Sequence, residues 1–175
     1  MHDLIEAVLA FVRVHHVYAA PLVFLLAFGE SLALVSLLLP ATVLLLGVGA
    51  LIGASGIAFW PIYFGAAIGA ALGDWLSYWL GWHFHEQIAR TWPLSRHPDL
   101  MPRGHAFFKK WGWSGIFIGR FFGPLRAIVP LVAGACKMPR TPFQVANWTS
   151  AFIWAGLILG PGAFGLTTLK DYFPF

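Results

Sequence analysis

Charge is what this 175-residue sequence has least of: charged side chains make up 10% of it, against 59% hydrophobic residues. A water-soluble domain carries nearer a quarter charged residues. So little polar material cannot cover a water-facing surface, which excludes an ordinary soluble domain and points to lipid as the main solvent. Cysteine is almost missing too. Cys136 stands alone, so no disulfide joins two parts of the chain and cysteine content carries no redox information. The opening MHDLIEA places Asp3 and Glu6 where a secretory leader has a basic region, and no small-residue cleavage site follows, so the first apolar segments are expected to be retained. No nucleophile–base pair and no phosphatase-like cluster of Lys, Arg and His falls in an apolar segment, so an enzyme is not expected. His83, His85 and Glu86 resemble a metal cluster, but positions two apart do not share a helix face. Neither they nor His15 and His16 are expected to hold a metal, and no cofactor is expected.

What is present is long apolar runs with basic residues between them. The formal charge of +4 is therefore a topology signal and not a nucleic-acid one. Residues 3–19 are amphipathic and are expected along the membrane interface. Residues 21–57 are long enough for two arms turning near Pro40. Residues 60–82, at 1.5 Å per residue, exceed the roughly 30 Å of a bilayer core and carry Trp and Tyr at their ends, so a spanning helix is expected there. Residues 85–102 are a polar connector, and RGHAFFKKWGW after it is a second interfacial segment. In residues 114–136, Gly123 and Pro124 divide two arms of about ten residues, each half a bilayer long. Such a break is tolerated in a membrane where protein or a wet cavity satisfies the freed backbone. Pro130 is read as a further break, and residues 142–166 as a second spanning helix.

The two halves match at an offset of 81: Pro61 with Pro142, Gly53 with Gly134, Gly81 with Gly162, and Gly69 with Ser150. Hairpins return to their own side and single spans cross, so the second copy starts on the opposite face. The expected fold is thus all-α: a polytopic membrane protein of two inverted repeats, each a re-entrant broken hairpin followed by a transmembrane helix. Residues 1–84 form the first repeat, 85–102 the connector and 103–175 the second. Arg90, Arg96, Arg103, Lys109, Lys110, Lys137 and Arg140 fall on one side, which the positive-inside rule makes cytoplasmic.

Four ionisable residues lie inside apolar segments: Glu30, Asp74, Arg120 and Arg126. Each charge at bilayer depth costs roughly 2.5–3.5 kcal/mol even on the lenient scale, so each needs a partner, a wet cavity or a function. Two acids and two bases can neutralise one another. Alternatively, Arg120 and Arg126 flank the Gly123-Pro124 break by three residues on the first side and two on the second, and converge from two arms on a phosphate, which guanidinium forks suit. An apolar surround favours a lipid headgroup over a soluble anion. Glu30 and Asp74 then supply counter-charge or take up protons, since burial favours a neutral acid and a nearby arginine the carboxylate. Gly47, Gly49 and Gly53 are read as close helix packing.

RFFGPLRAIVPLVAGACKM followed by FQVANWTSAFIW closely resembles the DedA family, also called the SNARE-associated or VTT-domain family. FGES, LLPATVLLLGVGALIGASG and GDWLSYWLG resemble its other blocks. The resemblance implies two opposed re-entrant hairpins in a bacterial inner membrane and movement of phospholipids or undecaprenyl phosphate between leaflets, linked to the proton-motive force and envelope integrity. It implies roles for Glu30, Arg120 and Arg126, and Asp74 matches the Gly-Asp segment. Many bacterial members carry a second acid twelve residues after the first; here that position is Thr42. The expected partners are membrane lipids, with no nucleic acid. The rivals are a non-transporting scaffold, with the four charges as a structural knot, and a lipid-phosphate hydrolase.

Overall fold

Glycine and alanine decide how these helices meet. The computed structural model describes residues 16–32, 41–55, 57–84, 100–122 and 125–172, and every regular element among them is helical. In chain order these are α1 (His16–Ser31), α2 (Ala41–Ser55), α3 (Phe59–His83), α4 (Leu100–Gly119), α5 (Leu125–Ala135) and α6 (Arg140–Tyr172). Pro40, Gly123 and Pro124, expected as hairpin breaks, lie outside the described residues, as do most of the first interfacial segment and residues 85–99 of the connector.

α3 is the axis of the fold, with α1, α5 and α6 packed around it, while α2 lies on α6. Gly65, Gly69 and Gly73 recur every fourth residue and so share one face of α3. Each abuts α1 backbone, at Ala20, Phe24 and Phe28 in turn. Without side chains in the way, the two helices come close enough for backbone contact, as in membrane helix pairs. Buried Ala19, Val23 and Ala27 of α1 and Ala66, Ala67, Ala70 and Ala71 of α3 complete this small-residue core, with Leu45, Val48, Trp154 and Leu159 filling the larger space toward α2 and α6. A second cluster gathers on Tyr78, whose ring stacks on Phe143 at 4.0 Å and whose hydroxyl donates to the Met138 carbonyl.

The glycines that match at an offset of 81 are contact points between the halves. Gly162 of α6 rests on Ala50 of α2, and 81 positions away in each case Gly81 of α3 rests on Leu131 of α5. Gly53 lies against Gly162 and Ala163, and Gly134 against Tyr78 and Trp82. α2 of the first half therefore packs on α6 of the second, and α5 of the second half on α3 of the first.

Three expectations need correction. Pro130 does not break a helix: it is buried inside α5, which runs on through it to Ala135. Proline removes one donor, the one that would reach the Arg126 carbonyl, but its fixed φ is helical. The connector ends at residue 99, because α4 begins at Leu100. The helices expected to span are present as α3 and α6, with 25 and 33 residues. Yet no helix among the described residues is both long and apolar enough to cross a membrane. Length is met; apolarity is not, because α3 and α6 also carry Asp74, Ser77, Asn147, Ser150 and the packing glycines.

α4 contains a break of its own at Gly112, where φ is 52° and ψ −130°. No L side chain adopts that conformation without strain. It separates a stretch with exposed Phe107, Lys109, Lys110 and Trp111 from a short arm leading to Arg120. A Cβ at this position would meet nothing within 4 Å. Gly112→Ala is therefore expected to lower stability by about 1–3 kcal/mol through backbone strain alone. Gly160→Ala, equally free of contacts but helical, is expected to be neutral or to stabilise by up to about 1 kcal/mol. Thermal unfolding of the two variants in detergent checks the pair.

Candidate functional site

Five helices and a turn deliver the polar residues of an otherwise apolar interior to one place. Glu30 and Ser31 are the last two residues of α1, and Thr42 is the second of α2. Asp74 and Ser77 lie three apart on α3. Asn147, Ser150 and Trp154 follow at helical spacing on α6, so each set shares a face. Arg126 is the second residue of α5. Arg120 sits just past α4, in tight turns where the amides of Arg120, Phe121 and Phe122 bond the carbonyls of Ile116, Ile118 and Gly119.

Glu30, Ser31, Asp74, Ser77, Arg120, Arg126, Asn147 and Ser150 are all buried. Arg126 Nη1 donates to Glu30 Oε1 at 3.2 Å, and Nη2 makes a long contact to Ser31 Oγ at 3.5 Å. The guanidinium carbon lies over the Trp154 ring, 4.2 Å from its centroid. Glu30 Oε1 also accepts from the Thr42 hydroxyl. Arg120 pairs with Asp74 through Nη2, which also donates to Asn147 Oδ1 at 2.5 Å. Asn147 in turn donates from Nδ2 to the Ala71 carbonyl at 2.9 Å. Ser31 joins the two ion pairs: its side chain bonds Asp74 as well as Arg126, and its carbonyl accepts from Ser77 at 3.2 Å.

All four charged residues singled out from the sequence are thus in one hydrogen-bonded network, with charges that sum to zero. Its resting arrangement is mutual neutralisation, one acid to each arginine. That neutralisation is incomplete in its hydrogen bonds. Arg120 Nε and Nη1 and Glu30 Oε2 are buried with no partner among the described residues. Leaving donors of a buried charge unmade is costly, so these are the reactive edges of the network.

Sequence reasoning missed Ser31, Asn147, Ser150 and Trp154 as members, and met Thr42 only as a missing acid. The signal for Asn147 was available: it is the only asparagine in the chain and stands in an apolar run. Among the described residues no cluster of His, Cys, Asp and Glu is arranged to hold a metal ion. His83 instead bonds the Trp79 carbonyl with a ring nitrogen at 3.0 Å, and His85 and Glu86 lie outside the described residues.

A sequence profile of the VTT domain matches residues 39–164, which takes in every member of this network except Glu30 and Ser31. The inner membrane protein YabI of Escherichia coli (strain K12) is 39% identical over 152 residues, 87% of this chain. An uncharacterized membrane protein of Buchnera aphidicola subsp. Acyrthosiphon pisum is 33% identical over 153 residues, again 87% of this chain. One of Mycobacterium leprae is 41% identical over 92 residues, or 53% of this chain and 43% of its own. The chain spans 60% of the length of the first two. No solved structure matches. With the domain profile covering most of the sequence and relatives from separate bacteria more than 30% identical to it, this chain belongs to the VTT-domain, or DedA, family of membrane proteins.

Proposed function

We propose that this protein moves a phosphate-bearing lipid, undecaprenyl phosphate or an anionic phospholipid, between the leaflets of a bacterial inner membrane, as a multi-pass protein and without enzymatic turnover. The observation that carries this reading is Arg120. Its guanidinium is buried and held through Nη2 alone, and its remaining donors have no partner among the described residues. A phosphate offers several oxygens to such donors, and arginine suits it through parallel N–H bonds. The paired contacts at an offset of 81 support two inverted repeats, with the two arms of each re-entrant hairpin being α1 with α2, and the last turns of α4 with α5.

In this reading the headgroup phosphate binds Arg120 directly and takes the place of Glu30 on Arg126. Glu30 is then released from its arginine and becomes the group that carries the coupled proton. It takes up one proton, retains the Thr42 hydroxyl as partner, and returns the proton when the phosphate leaves and Arg126 comes back. One carboxylate exchanging between arginine and proton is enough to link lipid movement to a pH gradient, with no second acid at position 42. Asp74 remains the fixed counter-ion of Arg120.

The test is movement of labelled undecaprenyl phosphate, beside a control phospholipid, in proteoliposomes with and without an imposed pH gradient. Movement that responds to the gradient is the expected result. The scaffold reading draws on one specific observation, that each arginine already has its acid; it is favoured if folded protein moves neither lipid. Release of phosphate from the lipid overturns both in favour of a hydrolase.

A further inference from the structure

Asn147 sits completely buried between α6, α3 and the turn after α4, and its side chain bonds both of the others. The orientation of its amide is dictated by chemistry. Arginine only donates and a carbonyl only accepts, so Oδ1 must face Arg120 and Nδ2 must face Ala71. Nη2 of Arg120 has two protons. Asp74 Oδ2 and Asn147 Oδ1 are its near acceptors, and the Asn147 backbone carbonyl accepts as well at 3.4 Å.

That sharing matters because arginine and a carboxylate prefer two parallel bonds. Either edge of the guanidinium that pairs twice with a carboxylate includes Nη2 together with Nε or Nη1. With the Nη2 end anchored to Asn147 as well, the guanidinium stands where Asp74 meets a single Arg120 nitrogen, and Nε and Nη1 have no partner among the described residues. We propose that Asn147 is a positioning residue of the transport site: it keeps Arg120 from closing on Asp74 and so holds the Nε and Nη1 donors ready for a lipid phosphate. The proposal rests on the transport reading above and names the residue that sets its affinity.

Asn147→Ala removes the anchoring side-chain acceptor and leaves only the longer contact to the backbone carbonyl, so Arg120 turns onto Asp74 as a bidentate pair. The buried charges remain paired, and the protein is expected to fold. Half-saturating lipid content in proteoliposomes is expected to rise about tenfold to a hundredfold, the worth of a bond to a charged group, with a much smaller change in maximal rate. Asn147→Asp gives a second reading if the alanine protein does not fold. Its neutral carboxyl copies the amide, with a hydroxyl to donate to Ala71 and a carbonyl to accept from Arg120. Its ionised form repels the Ala71 carbonyl and adds a second counter-ion to Arg120.

The aspartate protein is therefore expected to transport poorly at neutral and alkaline pH and to recover as the pH falls. The groups around position 147 are Asp74 on α3 and Arg120 after α4, with Glu30 of α1 and Arg126 of α5 reached through Ser31. Some of these titrate in the unmodified protein too, so the reading is the ratio of variant to wild-type rate at each pH. Wild-type half-saturation in Asn147→Ala, or a ratio that does not change with pH in folded Asn147→Asp, overturns the positioning role. A wild-type protein that moves no lipid overturns the transport reading itself, and the positioning role with it. An active wild type with indifferent variants overturns only the role of Asn147.

Discussion

Arg126→Lys protein is expected to fold, reach the membrane and move lipid about a hundredfold more slowly than wild type. The reasoning separates charge from shape. Arg126 is the partner of buried Glu30, and removing a buried partner outright costs about 3–5 kcal/mol because it strands the other charge. Lysine keeps a positive charge there, so Glu30 remains paired and the fold survives. Three things are lost. The ammonium has no planar fork to offer a phosphate. It cannot bond Glu30 and Ser31 from separate nitrogens as Nη1 and Nη2 do. Nor can it offer Trp154 the broad, delocalised cation that now stands 4.2 Å from the ring centroid. One bond to a charged group is worth about 1.5–3 kcal/mol, or roughly ten- to a hundredfold in rate if it is made in the transition state. The initial rate in the proteoliposome assay, normalised to folded protein, is the check. A lysine protein that moves lipid at the wild-type rate rules out Arg126 as a headgroup ligand and leaves it a structural counter-ion.

The largest effect on folding is expected from a single methyl group at Gly134. A Cβ there would overlap the carbonyl of Tyr78 and press on the amide of Trp82, both backbone atoms of α3. Overpacking usually costs about 1–3 kcal/mol because side chains can yield. A helix backbone yields far less, so Gly134→Ala is expected to exceed that range and to push α5 off α3. Arg126 rides on α5 and goes with it, so transport falls together with stability. Gly53→Ala is expected to behave alike, since its Cβ would meet the Gly162 and Ala163 carbonyls across the matching contact. Gel filtration in detergent and the midpoint of thermal unfolding give the measurement. A well-folded Gly134→Ala protein with an unchanged midpoint would show that α3 and α5 are not in backbone contact.

Much of the site could be read from the sequence because the cost of burying charge is independent of the fold. Glu30, Asp74, Arg120 and Arg126 stood out as ions in oily surroundings, and all four are in the network. Which acid meets which arginine was not legible. Glu30 and Arg126 are 96 positions apart and Asp74 and Arg120 are 46 apart, so the pairing depends on how helices cross. The same limit hid Ser31, whose polarity is ordinary until its neighbours are known, whereas Asn147 could have been singled out as the only asparagine in the sequence. Trp154 carries no distinguishing signal in the sequence, and only its place beside Arg126 marks it. Along the chain, small residues at an 81-residue offset did mark backbone contacts, because glycine is needed wherever two helix backbones touch. Proline misled at position 130, since a missing donor does not by itself end a helix.

The crossing of second arms onto opposite long helices also sets a timetable for the newborn chain. α2 finds its bed at Leu159, Gly162 and Ala163, roughly a hundred residues further along. At bacterial synthesis rates near the ribosome's usual 5–20 residues per second, that is a delay of about 5 to 20 s. Until then Leu44, Leu45 and Val48, fully covered in the finished protein, have no cover from α6. α2 must therefore be covered, by lipid or by an insertion factor, until α6 leaves the ribosome.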